Sequence, residues 1–383
     1  MNAPISARGA ELRELAVLFL RLGTTAFGGP AAHIAMFEEE VVRRRKWLSH
    51  EEFLDLLSAT NLIPGPNSTE MAIHIGHRRA GWMGLIVAGA CFILPAAFIV
   101  GGLAWVYVRH GQLPEAAAAL YGVKPVILGV VAQALWNLGK AAIKSWPLGL
   151  LAVVTAACSF LGVHELLLLA GAGAVMAVAR RAAPALRGGG PAVSVAPWGW
   201  AVVAAAFEPT QLGKLFLVFL KIGSVLYGSG YVLLAFLRAD LVERLGWLTE
   251  GQLLDAVAVG QVTPGPVFTT ATFIGYVLGG WPGAVLATVG IFLPAFVFVA
   301  LSGPLVPRLR RSPTAGAVLD GVNVASLSLM AVVSWQLGSA AIVDVWTGAI
   351  AVIGCVALLW ARVNATWLVL GGAAAGLAIR ALG

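Results

Sequence analysis

Charge vanishes from this chain for long stretches. Gly81–Val108, GWMGLIVAGACFILPAAFIVGGLAWVYV, has no charged residue in 28 positions. A helix needs about 20 predominantly apolar residues to cross a bilayer. Runs of this kind fall at 11–29, 82–108, 113–139, 147–162 and 165–180. Five more fall at 211–229, 281–301, 314–338, 341–360 and 364–381. They are continuous and do not alternate, so they predict helices and exclude barrel strands. Two other segments break the pattern. EEFLDLLSATNL precedes Pro64-Gly65-Pro66 and NSTEMAIHIGH follows it. Each is about three turns long, too short to span. Together they predict either one broken span or a hairpin with PGP at its tip.

The pattern occurs twice. FLRLGTTAFGGP at Phe19 aligns with FLKIGSVLYGSG at Phe219, and KWLSHEEFLDLL at Lys46 with GWLTEGQLLDAV at Gly246, both at an offset of 200. Pro64, Gly65 and Pro66 align with Pro264, Gly265 and Pro266 at the same offset. After one deletion the offset is 199: FILPA at Phe92 meets IFLPA at Ile291, Gly122 meets Gly321 and Trp136 meets Trp335. Such a register is a duplication. It divides the chain into repeats at 11–181 and 210–381, joined by a Pro/Gly-rich linker at 182–209. Duplicated halves are a common transporter architecture, with the substrate site between the repeats.

Composition agrees with a membrane protein. The chain has 383 residues, 59% hydrophobic and only 11% charged, against about 25% charged in soluble domains. The net charge of +7 therefore reports topology, because cytoplasmic loops are rich in Lys and Arg. Arg43–Lys46 precede the first PGP segment, and Arg78 and Arg79 follow it. A hairpin puts both clusters on one side, and Lys140, Lys144, Arg180, Arg181 and Arg187 join them. An odd number of spans inverts the second half, which brings Arg308, Arg310, Arg311 and Arg362 to the same side. The expected fold is an all-α polytopic membrane protein. It has two homologous inverted-topology repeats, ten transmembrane helices and two re-entrant hairpins with PGP tips, and both termini lie outside. The N-terminus shows no signal-peptide pattern, so the first apolar segment is expected to be retained. Cys91, Cys158 and Cys355 all lie in apolar runs and form no disulfide framework. Basic residues show no nucleic-acid pattern.

Charges at membrane depth are costly and usually functional. Arg21 lies mid-span with Lys221 as its repeat partner; Lys124 is matched by Asn323, three residues after Asp320. Arg21, Lys124 and Lys221, with Asn323, are therefore expected to bind the substrate, the alternative for each cation being snorkelling or pairing with a neighbouring carboxylate. The PGP tips offer positive charge of another kind. A helix restarting at Asn67 exposes unpaired N–H groups and a positive dipole end. Asn67, Ser68 and Thr69 add side-chain donors, and Thr269 and Thr270 stand at the equivalent turn. Helix N-termini suit anions. The glycine-rich ends of the first helices, Gly28 and Gly29 in one half and Gly228 and Ser229 in the other, predict a second backbone opening, or simply helix caps. Glu70 and Asp320 are candidates for proton coupling. His74 and His77 stand three residues apart, but no Cys or carboxylate cluster completes a metal site. There is no GxxxxGK[ST] loop and no catalytic triad signature, so no enzyme activity and no cofactor is expected.

The FGGP stretch, the KWL start, the PGP tip and the LPA of the next span, all duplicated, resemble the chromate ion transporter family. The likeness is to its long members with two fused halves. It implies efflux of chromate across the bacterial cytoplasmic (inner) membrane, and so resistance. Sulfate, also a tetrahedral dianion, is the natural competitor, and a homodimer is compatible. The family's important segments fall on Phe27–Pro30, Trp47–Leu48 and Pro64–Pro66. The second half reads YGSG and has Val267 where the first has Asn67, so the first half is expected to supply more of the substrate contacts. Rival readings are a sulfate or small-anion carrier, a passive anion channel, and an enzyme or flippase acting on lipid phosphates.

Overall fold

The computed structural model describes residues 5–27, 29–110, 113–185, 211–227, 230, 232–310, 312–360, 363 and 365–382. The expected linker at 182–209 lies mostly outside them, as do Arg187, Arg311 and Arg362. All regular structure among the described residues is helical. The first half runs α1 (Ile5–Thr25), α2 (Gly29–Glu38), α3 (His50–Thr60), α4 (Asn67–His110), α5 (Pro114–Ala142), α6 (Trp146–Phe160) and α7 (Glu165–Ala185). The second repeats this order: α8 (Gln211–Val225), α9 (Leu233–Leu237), α10 (Glu250–Val262), α11 (Thr270–Arg310), α12 (Pro313–Ala341), α13 (Val345–Leu359) and α14 (Ala365–Leu382). A π-helical turn follows both α2 and α9.

Local chemistry sets these boundaries. Ser49 and Glu52 form a capping box that starts α3, and Thr249 and Gln252 form its counterpart at α10. PGP separates α3 from α4 and α10 from α11, because proline cannot continue a helix. The second arm and the span after it are joined in one helical run that breaks at Ala80–Gly81 in α4 and at Gly279–Gly280 in α11. Gly81 and Gly280 sit at φ 62° and 60°, a region open mainly to glycine. The run folds back there so tightly that the backbones of Gly76 and Gly84 touch, and likewise Gly275 and Gly283.

The two halves interlock. α1 lies along α4 and α8 along α11, and α4 packs on α11. The remaining helices are exchanged: α5 packs on α13 and α14 of the other half, and α12 packs on α6 and α7. Repeat-equivalent glycines permit both approaches, Gly122 against the backbone of Gly372 and Gly321 against that of Ala172. The outer surface is apolar, with Phe98, Val153, Leu161 and Trp360 all exposed. Exposed apolar surface on this scale belongs against lipid. Among the described residues, Asn67–His110, Pro114–Ala142, Val267–Ser302 and Pro313–Ala341 are long and apolar enough to cross a membrane; Trp146–Phe160, Val345–Leu359 and Ala365–Ala381 are shorter apolar helices.

Candidate functional site

Each PGP tip docks on the opposite half. The Gly65 N–H donates to the carbonyl of Leu226, just past α8, at 2.8 Å. The Gly265 N–H donates to the carbonyl of Ala26, just past α1, at 2.9 Å. Ala26 and Leu226 are repeat partners, so the two contacts are one contact made twice. The LPA motifs complete it. A side chain on Gly265 would strike the Cβ of Ala96, and Gly65 faces Ala295. The tips thus meet the broken ends of the first helices, each across the duplication.

A cavity of about 370 Å³ lies where they meet. Repeat-equivalent residues from both halves line it: Pro30 and Gly230, Pro66 and Pro266, Asn67 and Val267, Ser68 and Phe268. It therefore sits on the pseudo-symmetry axis, but its chemistry is lopsided. The first tip contributes an amide and a hydroxyl, the second only apolar side chains. Gln133 and Asn137 of α5 add further polar groups. A second cavity of about 260 Å³ adjoins it through Asn67 and Leu138. Asn61, Lys144, Asp320, Asn323 and Ser326 line this one. The Asn67 side chain donates to Asn61 Oδ1 at 2.9 Å, which ties the start of α4 to the end of α3.

The other residues expected at the site are placed differently. Thr69, Thr269 and Thr270 are fully buried away from both cavities. The Thr269 and Thr270 hydroxyls donate to the carbonyls of Pro266 and Val267. Pro64 is half-buried, and Gly29 opens α2 at φ 76°. Gly28, Gly228 and Ser229 lie outside the described residues. Each cation has a carboxylate. Arg21 meets Glu40 at 2.7 Å, and Lys221 meets Asp240 at 2.9 Å and Glu165 at 3.4 Å. Lys124 meets Asp255 at 3.2 Å, and Tyr107 donates to the same carboxylate at 2.9 Å. Asp320 accepts from Lys144 at 2.9 Å. None of Arg21, Lys124 and Lys221 lines either cavity. Lys124 and Lys221, largely buried, are balanced as a charge in a low-dielectric interior requires, whereas the Arg21 side chain, expected at depth, is 48% exposed.

The family model described as chromate transporter matches residues 13–177 and matches again at residues 213–377. The chain belongs to the chromate transporter family. It is 32% identical over 375 residues to the chromate transport protein of Cupriavidus metallidurans, covering 96% of this chain and 92% of that one. It is 30% identical over 368 residues to the probable chromate transport protein of Synechococcus elongatus, covering 91% and 89%. It is 33% identical over 329 residues to the chromate transport protein of Pseudomonas aeruginosa, covering 83% and 79%. No solved structure matches the chain.

This chromate-transporter-family chain shows what the sequence reading missed. The carboxylates Glu40 and Asp240 are repeat partners at an offset of 200, the same offset as Arg21 and Lys221. That signal was available: a cation and an anion duplicated together indicate a structural pair. Asp255 is likewise duplicated, as Asp55, but its contact with Lys124 crosses the halves and has no local sequence sign. Gln133 and Asn137 look like ordinary polar positions in an apolar helix; only the cavity singles them out.

Proposed function

We propose that this protein is a secondary transporter that carries chromate outward across the cytoplasmic membrane and so confers resistance. The observation that carries this reading is the cavity at the meeting of the two tips. A tetrahedral oxyanion is held best by convergent donors in a partly dry site. Asn67 and Ser68 stand at a helix N-terminus, where backbone N–H groups and the helix dipole add to their side chains. Asn61, Gln133, Asn137 and Asn323 extend the donor set, and at the exposed mouth Lys144 stands paired with Asp320.

The packing of the halves supports alternating access. Lys124, Asp255 and Tyr107 draw α10 against α4 and α5. At the equivalent place in the other half, Asn323 stands in Lys124's position and lines an open cavity with Asn61. α10 is buried along most of its length, whereas α3 is largely exposed or half-buried. One side is closed and its counterpart is open. Inverted repeats that exchange these conformations open the Lys124 side and close the Asn323 side. With the basic loops in the cytoplasm, both termini outside and ten spans, the open cavity faces the cytoplasm, which suits export. Arg21 and Lys221 act in this reading as struts paired with Glu40 and Asp240, and sulfate competes for the same donors.

Direction is tested in cells. Expression of the chain should raise chromate tolerance and lower accumulated chromate label. Sensitisation with raised accumulation would instead mean uptake.

A further inference from the structure

Three polar groups on the second arm of the first hairpin have no partner. Thr69 Oγ1, both carboxylate oxygens of Glu70 and His74 Nε2 are buried without a hydrogen bond. Glu70 has no exposed surface at all. Glu70 and His74 are four residues apart, and so lie on one face of the helix. The carboxylate presses against the PGP tip: a Cβ added to Gly65 would fall 2.3 Å from Glu70 Oε1. Glu70 is two residues beyond Ser68, which lines the central cavity.

The duplication provides an internal control. In the second half Thr269 and Thr270 stand at the turn after the tip, and Phe273, at the offset of 199 that pairs Gly76 with Gly275, takes the place of His74. Both hydroxyls there are satisfied by carbonyls of the preceding turn, and Phe273 is buried. The scaffold therefore folds around this position without an acid. The surroundings of Glu70 do not explain the acid either. Tyr227, just past α8, is a neighbouring titratable group. From α1, Arg21 is held by Glu40; from α2, His33 meets the carbonyl of Ala26. From α10, Asp255 is held by Lys124. Among the described residues Glu70 forms no ion pair with any of them.

A carboxylate buried with neither cation nor donor is far costlier than the neutral acid. We propose that Glu70 is the proton-binding site that couples anion movement to the proton gradient. The proton sits on the carboxyl group while the tip is docked. It leaves to water, breaking only the O–H bond, when rearrangement of the tip admits water. The ionised carboxylate then places a like charge beneath the anion donors Asn67 and Ser68, so the proton and the anion affect each other's binding. This inference rests on the transport reading, and the experiment separates the two.

The purified full-length protein is compared with Glu70→Gln, which keeps the volume and cannot ionise. Infrared spectra at neutral pH read the carbonyl stretch of a protonated carboxylic acid without needing any transport. That band is expected in the wild type and absent in Glu70→Gln. A wild type without it, or a band unchanged in Glu70→Gln, overturns the proposal. In proteoliposomes, labelled chromate flux by the wild type should change several-fold under a roughly tenfold proton gradient. Glu70→Gln should exchange chromate but ignore the gradient. Wild-type chromate flux indifferent to protons, or responding to sodium instead, overturns the proposal and leaves the transport reading standing. If Glu70→Gln does not fold, a pH-sensitive dye inside wild-type vesicles decides, since chromate flux without proton flux overturns the proposal. A wild type that shows the band and moves no chromate defeats the transport reading but not the proton site.

Discussion

Gly65 shows how much depends on single positions. Its φ of 138° and the nearby Glu70 Oε1 leave no room for a side chain, and its N–H makes the bond to Leu226. Gly265 at φ 86° is bounded by Ala96. Strained backbone of this kind costs about 1–3 kcal/mol per residue, before any clash. Gly65→Ala and Gly265→Ala should each lower the unfolding temperature and abolish anion flux, measured on purified protein and in vesicles. Wild-type flux in either variant would mean that the tips need not dock. The glycines were legible in the sequence because PGP announces them. What they touch was not, because each contact crosses about 160 to 240 residues of chain and reflects packing, not periodicity. The same limit hid the carboxylates behind Arg21, Lys124 and Lys221.

Helices that are equivalent in sequence are unequal in setting. α10 is held by the pair Lys124–Asp255, whose Asp255 side chain is 6% exposed. Removing one partner of a buried pair typically costs about 3 kcal/mol or more, whereas replacing both by apolar groups is often neutral. Lys124→Ala and Asp255→Ala should therefore each destabilise in detergent unfolding, more than the double variant Lys124→Met with Asp255→Leu. Equal losses in all three would show that the pair does not hold α10. A cap makes a second test. Asp344 accepts from the Thr347 N–H at 2.8 Å and from the Tyr121 hydroxyl. The Thr347 N–H first, and then Tyr121, hold the Asp344 carboxyl below the usual range. Its contribution is present above the unfolded-state value and disappears as pH falls through the folded-state value. The stability gap between wild type and Asp344→Ala should therefore close on acidification; a gap constant with pH would contradict the cap. The all-helical character and the long apolar helices could be read from the sequence, because each rests on local chemistry; the capping boxes at Ser49 and Thr249 were equally local and went unread.

At the scale of the molecule the duplication sets how the halves pack. The halves are interleaved through α5–α7 and α12–α14. Equivalent residues frame one cavity, and a second cavity adjoins it on the Asn61 flank. The duplication was legible in the sequence, and the inversion was an expectation drawn from the basic loops; the exchange of helices and the difference in closure were not legible, because they come from contacts between halves. Cysteines placed at the equivalent positions Asn61 and Gln261 report on this. Asn61→Cys, in the open cavity, should react readily with a charged thiol reagent. Gln261→Cys should react slowly and become faster when Asp255→Asn releases α10. Unchanged labelling at Gln261→Cys after that release would contradict alternation at this site.

The most direct test of the account is labelled-chromate counterflow in proteoliposomes, comparing wild type with Asn67→Ala. Asn67 borders both cavities at the one tip that carries polar donors. A hydrogen bond to a charged ligand contributes about 1.5–3 kcal/mol. The expected result is saturable counterflow by the wild type, competed by sulfate, with KM raised roughly tenfold or more in Asn67→Ala. Absence of saturable chromate flux in the wild type, or an unchanged KM in Asn67→Ala, would contradict an anion site at the meeting of the tips.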